Sequence, residues 1–177
     1  TGLTNILIFF LQESLNWTTK ASSGTLVVVG IIAIIVQGGL IGPLVKQFGE
    51  MKLTLIGSGF ILVACTLLIT TPKENATINV YSAVSFLAVG AGLITPTLRA
   101  LISKKLDVDK QGSILSNLQG LQSLGGVLGI AMAGRVYDSF GPKSPFIAGS
   151  VILIFMIYLI AEGKNNNSFN NQKSKVI

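Results

Sequence analysis

The stretch GTLVVVGIIAIIVQGGLIGPL, from Gly24 to Leu44, carries no charged side chain and decides the class of the fold. At 1.5 Å per residue, a helix of this length reaches roughly 30 Å, the thickness of the hydrocarbon core of a bilayer. Inside a bilayer every backbone N–H and C=O must find its partner within the protein, so the run reads as a membrane-spanning helix. The same kind of block recurs outward from it, at 53–71, 78–100, 114–136 and 145–161. On the amino-terminal side, Thr1 to Leu11 is also apolar and closes on Gln12 and Glu13, but it is too short to cross. It is expected to be the end of a span whose beginning lies upstream. The fold class is therefore an all-α membrane protein, a helical bundle over residues 1–162 of five complete spans plus the end of a sixth (about 1–13). Residues 163–177, rich in Asn and Lys, are expected to form a disordered tail. The blocks lack the alternation of outer-membrane β-strands.

Composition agrees with this reading. Half of the 177 residues are hydrophobic and 11% are charged, against about a quarter charged in a soluble domain. A net charge of +6 would point to nucleic acid in a soluble protein. Here the basic residues sit in short loops between apolar blocks, so the expected partner is the lipid bilayer and no nucleic acid is expected. Alternating the loops puts Lys20, Lys73, Arg135 and Lys143 on one side. Lys46, Lys52, Arg99, Lys104, Lys105, Lys110, Lys164, Lys173 and Lys175 fall on the other. The excess of Lys and Arg marks the second side, with the carboxy terminus, as cytoplasmic. Trp17, Tyr81 and Tyr137 then fall near outer span ends, where an aromatic belt belongs.

Enzyme chemistry finds no foothold. The chain has no His and a single Cys, Cys65, and its seven carboxylates are not paired at mid-membrane. No metal set or nucleophile–base pair can be assembled, so no catalytic residue, metal or cofactor is expected. A phosphate-cradling Gly loop is also missing from the sequence, which argues against ATP as an energy source. The chemistry the spans do carry is uncharged and polar. Asn5, Gln37, Asn117, Gln119 and Gln122 lie within apolar blocks, where each amide needs a partner. Such a partner can be a neighbouring helix or a water-filled cavity. Gln119 and Gln122, three residues apart, share a helix face, and with Gln37 and Asn5 they are the candidates to line a substrate cavity. Gly38 and Gly42, and Gly125, Gly129 and Ala133, recur four apart, as at close helix–helix contacts. Pro96, after Gly90-Ala91-Gly92, removes a backbone hydrogen bond within the fourth block and is a candidate hinge or fixed kink.

Two stretches resemble a known family. Residues 36–50, VQGGLIGPLVKQFGE, resemble the loop between the eighth and ninth helices of the major facilitator superfamily, especially of tetracycline-efflux-like drug:proton antiporters. That loop is a weakened copy of the family's cytoplasmic signature G-x-L-x-D-x-x-G-R-K. Gly42, Leu44 and Gly49 match the signature, whereas Lys46 stands in place of its Asp and Glu50 in place of an Arg. The second stretch, Gln111 to Gly125 with Gly134 to Asp138 after it, is similar to the family's eleventh helix and its flanking loops. The resemblance implies helices seven (its end) to twelve of a twelve-helix fold, the carboxy-terminal half of a secondary transporter. It also implies a missing amino-terminal six-helix half as partner, and a small-molecule substrate and a proton as cargo. The function so implied is proton-coupled efflux of small amphipathic organic compounds across a bacterial-type inner membrane. Uptake of a sugar or other nutrient by the same fold, and a non-transporting membrane scaffold, are the alternatives.

Overall fold

The computed structural model of the chain describes residues 7–8, 10–13, 17–72, 76–104 and 108–173, and these are helices joined by short turns. In chain order they are α1 (Thr19–Ile35), a π-helical turn (Val36–Leu40), α2 (Ile41–Phe48), α3 (Glu50–Thr70), α4 (Ala76–Ser103), α5 (Val108–Phe140) and α6 (Ser144–Lys173). Residues 7–8 and 10–13 ahead of them are helical as well. Among the described residues, three segments are long and apolar enough to cross a membrane: Thr19–Phe48 taken through the π turn, α3 and α4. Within α6 the stretch Ser144–Ile160 is a shorter apolar helix. α5 is 33 residues long, but its amides and glycines dilute its apolar character.

The helices outrun the apolar blocks because polar caps and turns, not the hydrocarbon zone, end them. α1 starts at Thr19 rather than Gly24, since the Thr18 hydroxyl accepts the Ala21 N–H at 3.3 Å and satisfies one orphan donor of the first turn. Between α2 and α3 the chain turns on Gly49, whose φ of +76° is open to glycine at little cost. α3 ends where the Thr71 hydroxyl donates to the Leu67 carbonyl at 2.6 Å, just before Pro72. Gly141, with φ of +89°, makes the turn into α6. The sequence reading placed a disordered tail from residue 163, but α6 stays helical to Lys173. Adding a residue to an existing helix fixes one residue for one hydrogen bond, so the span carries the polar segment on. Residues 174–177 lie outside the described residues.

The bundle is centred on α3 and α4, which pack along most of their lengths, with α6 against α3 and α1 against α4. Near mid-helix the two backbones come very close. A Cβ built on Gly90 would lie 2.6 Å from the Gly57 carbonyl oxygen, and one on Gly57 would lie 3.0 Å from the Gly90 oxygen. Where lipid is as apolar as the side chains, such close approach is what holds helices together. About one turn away along α3 and two along α4, the Thr54 and Thr97 hydroxyls share a buried hydrogen bond of 3.1 Å. Leu7, Phe10 and Leu11 of the first segment are buried with Leu68, Val80, Val84 and Phe146, so that segment is part of the core. Phe10 meets Phe146 edge-on at 5.3 Å.

Two elements are left bare. Along α5, Leu121, Val127 and Met132 are each about two-thirds exposed, and Ile34 of α1 is 73% exposed. The glycines picked out by their four-residue spacing lie on α5 (Gly125 and Gly129), on the π turn (Gly38) and on α2 (Gly42). A Cβ on Gly38, Gly42, Gly125 or Gly129 would meet nothing within 4 Å. The close contact belongs instead to Gly57 and Gly90.

Candidate functional site

The bare side of α5 forms a groove with the end of α4. Its volume is about 650 Å³, and it is lined by Thr95 and Arg99 from α4 and by Gln119, Gln122, Ser123, Gly126, Val127 and Ile130 from α5. The α5 positions repeat at three and four residues, which is one face of a helix. Gln119 and Gln122 therefore do lie together, as their spacing predicts. Arg99 Nη2 donates to Gln119 Oε1 at 2.6 Å and fixes the orientation of that amide. Ser123 donates its hydroxyl hydrogen back to the Gln119 carbonyl at 3.0 Å, leaving its oxygen as an acceptor. The groove is graded along its length. Its polar groups gather around Arg99 and Gln119, and Gly126, Val127 and Ile130 form the other end.

The other sequence candidates lie elsewhere. Gln37 sits on the π turn, where its Cγ would be 3.9 Å from a Cβ on Gly92, and it does not line the groove. Gln37 thus lies near Gly92 of α4, three residues before the Thr95 that lines the groove. Asn5 lies outside the described residues. Pro96 is inside α4, which stays helical through it. The Thr97 hydroxyl donates to the Leu93 and Ile94 carbonyls at 2.6 and 2.9 Å, whereas the carbonyl that loses its N–H partner to the proline is that of Gly92. Of the loop motif, Gly49 makes the turn and Leu44 packs on the cluster of Val36, Leu53 and Leu93, whereas Gly42 is free of close neighbours. Glu50, standing where the signature has an Arg, forms an ion pair with Lys104 at the end of α4.

Two features escaped the sequence reading. One is Arg99, which looked like a span-end residue but reaches into the groove. Its place four residues after Thr95, on the same face, was the available signal. The other is the π turn, in which the Ile41 N–H reaches back five residues to the Val36 carbonyl. Pro43 has no N–H to offer the Gly39 carbonyl four residues before it, and a wider turn relieves the clash with its ring. Gly92 packs on this turn, a Cβ there lying 3.1 Å from Val36 Cγ1. A second crevice, of about 470 Å³, lies among Phe60, Tyr81, Ser82, Ser85, Phe86 and Val89. It carries no charged group, and Phe60 and Phe86 stack across it at 5.7 Å.

A bundle of apolar helices with a cation-bearing groove on a bare flank is the build of an integral membrane protein. Residues 1–130 match the profile of the Major Facilitator Superfamily, and the chain belongs to that family of membrane transporters. Among curated relatives it is 26% identical over 133 residues to "Tetracycline resistance protein, class H" of Pasteurella multocida, covering 75% of this chain and 32% of the relative. It is 25% identical over 130 residues to "Tetracycline resistance protein, class C" of Escherichia coli, covering 73% and 32%. It is also 23% identical over 139 residues to "Hippocampus abundant transcript 1 protein" of Mus musculus, covering 78% and 28%. The chain thus spans about a third of the length of these relatives. No solved structure gives a significant match.

Proposed function

We propose that this chain is the carboxy-terminal half of a twelve-helix secondary transporter, a proton-coupled antiporter that exports small amphipathic organic compounds. The observation that carries the proposal is the groove on α5. Gln119 and Gln122 face away from the packed core, on the flank where α5 is most exposed, and a second six-helix half there would close the groove into a cavity. The relatives named for tetracycline resistance support export as the direction. Pro96, beside the groove, is the hinge in this proposal, and Gly42, Leu44 and Gly49 form the cytoplasmic loop motif. The Lys-rich ends support a cytoplasmic position for that loop and for the carboxy terminus, in a bacterial-type inner membrane. The carboxylate that carries the proton belongs to the amino-terminal half.

The test is efflux of a fluorescent amphiphile from cells expressing the full-length protein. Collapse of the proton gradient with a protonophore, at constant ATP, should abolish efflux. Export that survives the collapse and follows ATP would refute the antiport.

A further inference from the structure

The groove has a sign. Among its eight lining residues there is one cation, Arg99, and no carboxylate. Asp109 is the second residue of α5, ten before Gln119, so the helix rise sets their backbones roughly 15 Å apart along the axis. The Glu50 carboxylate, just past the same end of α4, is taken up by its ion pair with Lys104 and does not line the groove. Arg99 is exposed, and one of its N–H groups is given to Gln119. A guanidinium has five N–H donors and no acceptor, so donors remain for a ligand. With its carbonyl oxygen held by Arg99, the Gln119 amide has its two N–H donors left to offer beside the cation. The polar end of the groove therefore offers mainly hydrogen-bond donors around a positive charge. The other end, at Val127 and Ile130, is apolar. From Gln119 to Ile130 is eleven residues, or roughly 16 Å of helix, enough for a fused-ring body.

We propose that this groove selects amphipathic organic anions, with Arg99 and the Gln119 amide meeting a carboxylate or enolate head and Val127 and Ile130 taking the apolar body. The assignment rests on the groove being the substrate site, and it narrows "amphipathic compound" to one sign of charge. Arg99 acts through charge-assisted hydrogen bonds, which are stronger than neutral ones and give Arg its advantage with planar oxyanions.

Two dyes built on the same xanthene rings separate the alternatives: fluorescein, anionic at pH 8, and rhodamine 123, cationic. Their binding to the purified full-length protein in detergent, without any gradient, is read by fluorescence anisotropy. Fluorescein should bind about tenfold or more tightly than rhodamine 123, the difference expected of one hydrogen-bonded charge. Arg99→Gln should bring fluorescein down to the level of rhodamine 123, and Arg99→Lys should keep part of the preference. Equal affinities, tighter rhodamine binding, no binding of either dye, or a preference that persists in Arg99→Gln would each overturn the proposal. The last result would mean that a group other than Arg99 supplies the preference for anions. Should Arg99→Gln fail to fold, the ranking of the two dyes on the unaltered protein still decides. Because no gradient is present, a fluorescein preference combined with gradient-independent efflux would remove proton coupling and leave anion selection standing.

Discussion

The contact between Gly57 and Gly90 can be tested one methyl group at a time. In Gly90→Ala the new Cβ would lie 2.6 Å from the Gly57 carbonyl oxygen, 2.6 Å from Ile61 Cγ1 and 3.1 Å from the Ile61 nitrogen. Even close C–H···O contacts between helices keep carbon and oxygen about 3.3 Å apart, so α3 and α4 must separate by roughly 0.7 Å. Two of the three obstacles are backbone atoms of α3, and a side-chain rotation cannot relieve them. The separation loosens the flanking Ile61, Ala64, Cys65 and Leu87 cluster and stretches the Thr54–Thr97 bond on the other side. Overpacking of this kind costs about 1–3 kcal/mol. Gly57→Ala should be milder, because its nearest obstacle is the end of the Ile94 side chain at 2.8 Å, with the Gly90 oxygen at 3.0 Å. Gly59→Ala, two residues along α3, meets nothing within 4 Å and should be neutral or slightly stabilising.

Thermal unfolding of the full-length protein in detergent, followed by size-exclusion chromatography, gives the ranking. The expected order of destabilisation is Gly90→Ala, then Gly57→Ala, then Gly59→Ala near zero. If Gly90→Ala were as stable as the unaltered protein, or if Gly59→Ala lost as much, the α3–α4 approach described here would be wrong.

Three further outcomes follow from named contacts. A double-mutant cycle of Thr54→Val and Thr97→Val should return a coupling of roughly 0.5–1.5 kcal/mol, and zero coupling in an unfolding assay would remove the buried bond as a cross-link. Glu50→Lys should lower thermal stability, Glu50→Lys with Lys104→Glu should restore it, and the difference should shrink as salt is raised; a double variant no better than the single one would dissolve the pair. Gln122→Leu should cut dye efflux about threefold to tenfold at low dye concentration with unchanged protein in the membrane, whereas Gln37→Leu should stay within about twofold. Equal losses in the two would put Gln37 back into the site.

The apolar blocks made the helices legible because only the backbone of a helix satisfies itself in lipid. The boundaries were less so, since hydropathy marks the hydrocarbon zone while Thr18, Gly49 and Thr71 set where helices begin and end. The groove was partly legible, because a spacing of three puts Gln119 and Gln122 on one face whatever that face meets. Its cation was not. Whether Arg99 snorkels to the surface or turns to Gln119 depends on how α4 and α5 lie together, which one helix's periodicity does not contain. The glycines show the same limit: a four-residue spacing marks a smooth face but does not say what packs on it. Gly90-Ala91-Gly92 carried the stronger signal, with Gly90 against α3 and Gly92 against the π turn.

The distribution of these features divides the bundle by task. Small-residue contacts and buried hydroxyl bonds concentrate on α3 and α4, and these helices, with α6 and the first segment, form an interior that is complete as it stands. Such packing resists deformation, since any separation of the backbones forfeits many short contacts at once. The polar and irregular features lie at its margin: the π turn before Pro43, the amides of α5, and Pro96 with the bare groove beside it. A bend at the π turn or beyond Pro96 would move α2 and the end of α4 while leaving the Gly57–Gly90 contact in place. Gly92 ties these two sites of give together, because the α4 turn that precedes Pro96 is the one resting on Val36. Motion at one would therefore be felt at the other, and through Arg99 at Gln119. The groove is thus hung on the end of α4, which the Thr97–Thr54 bond ties to α3.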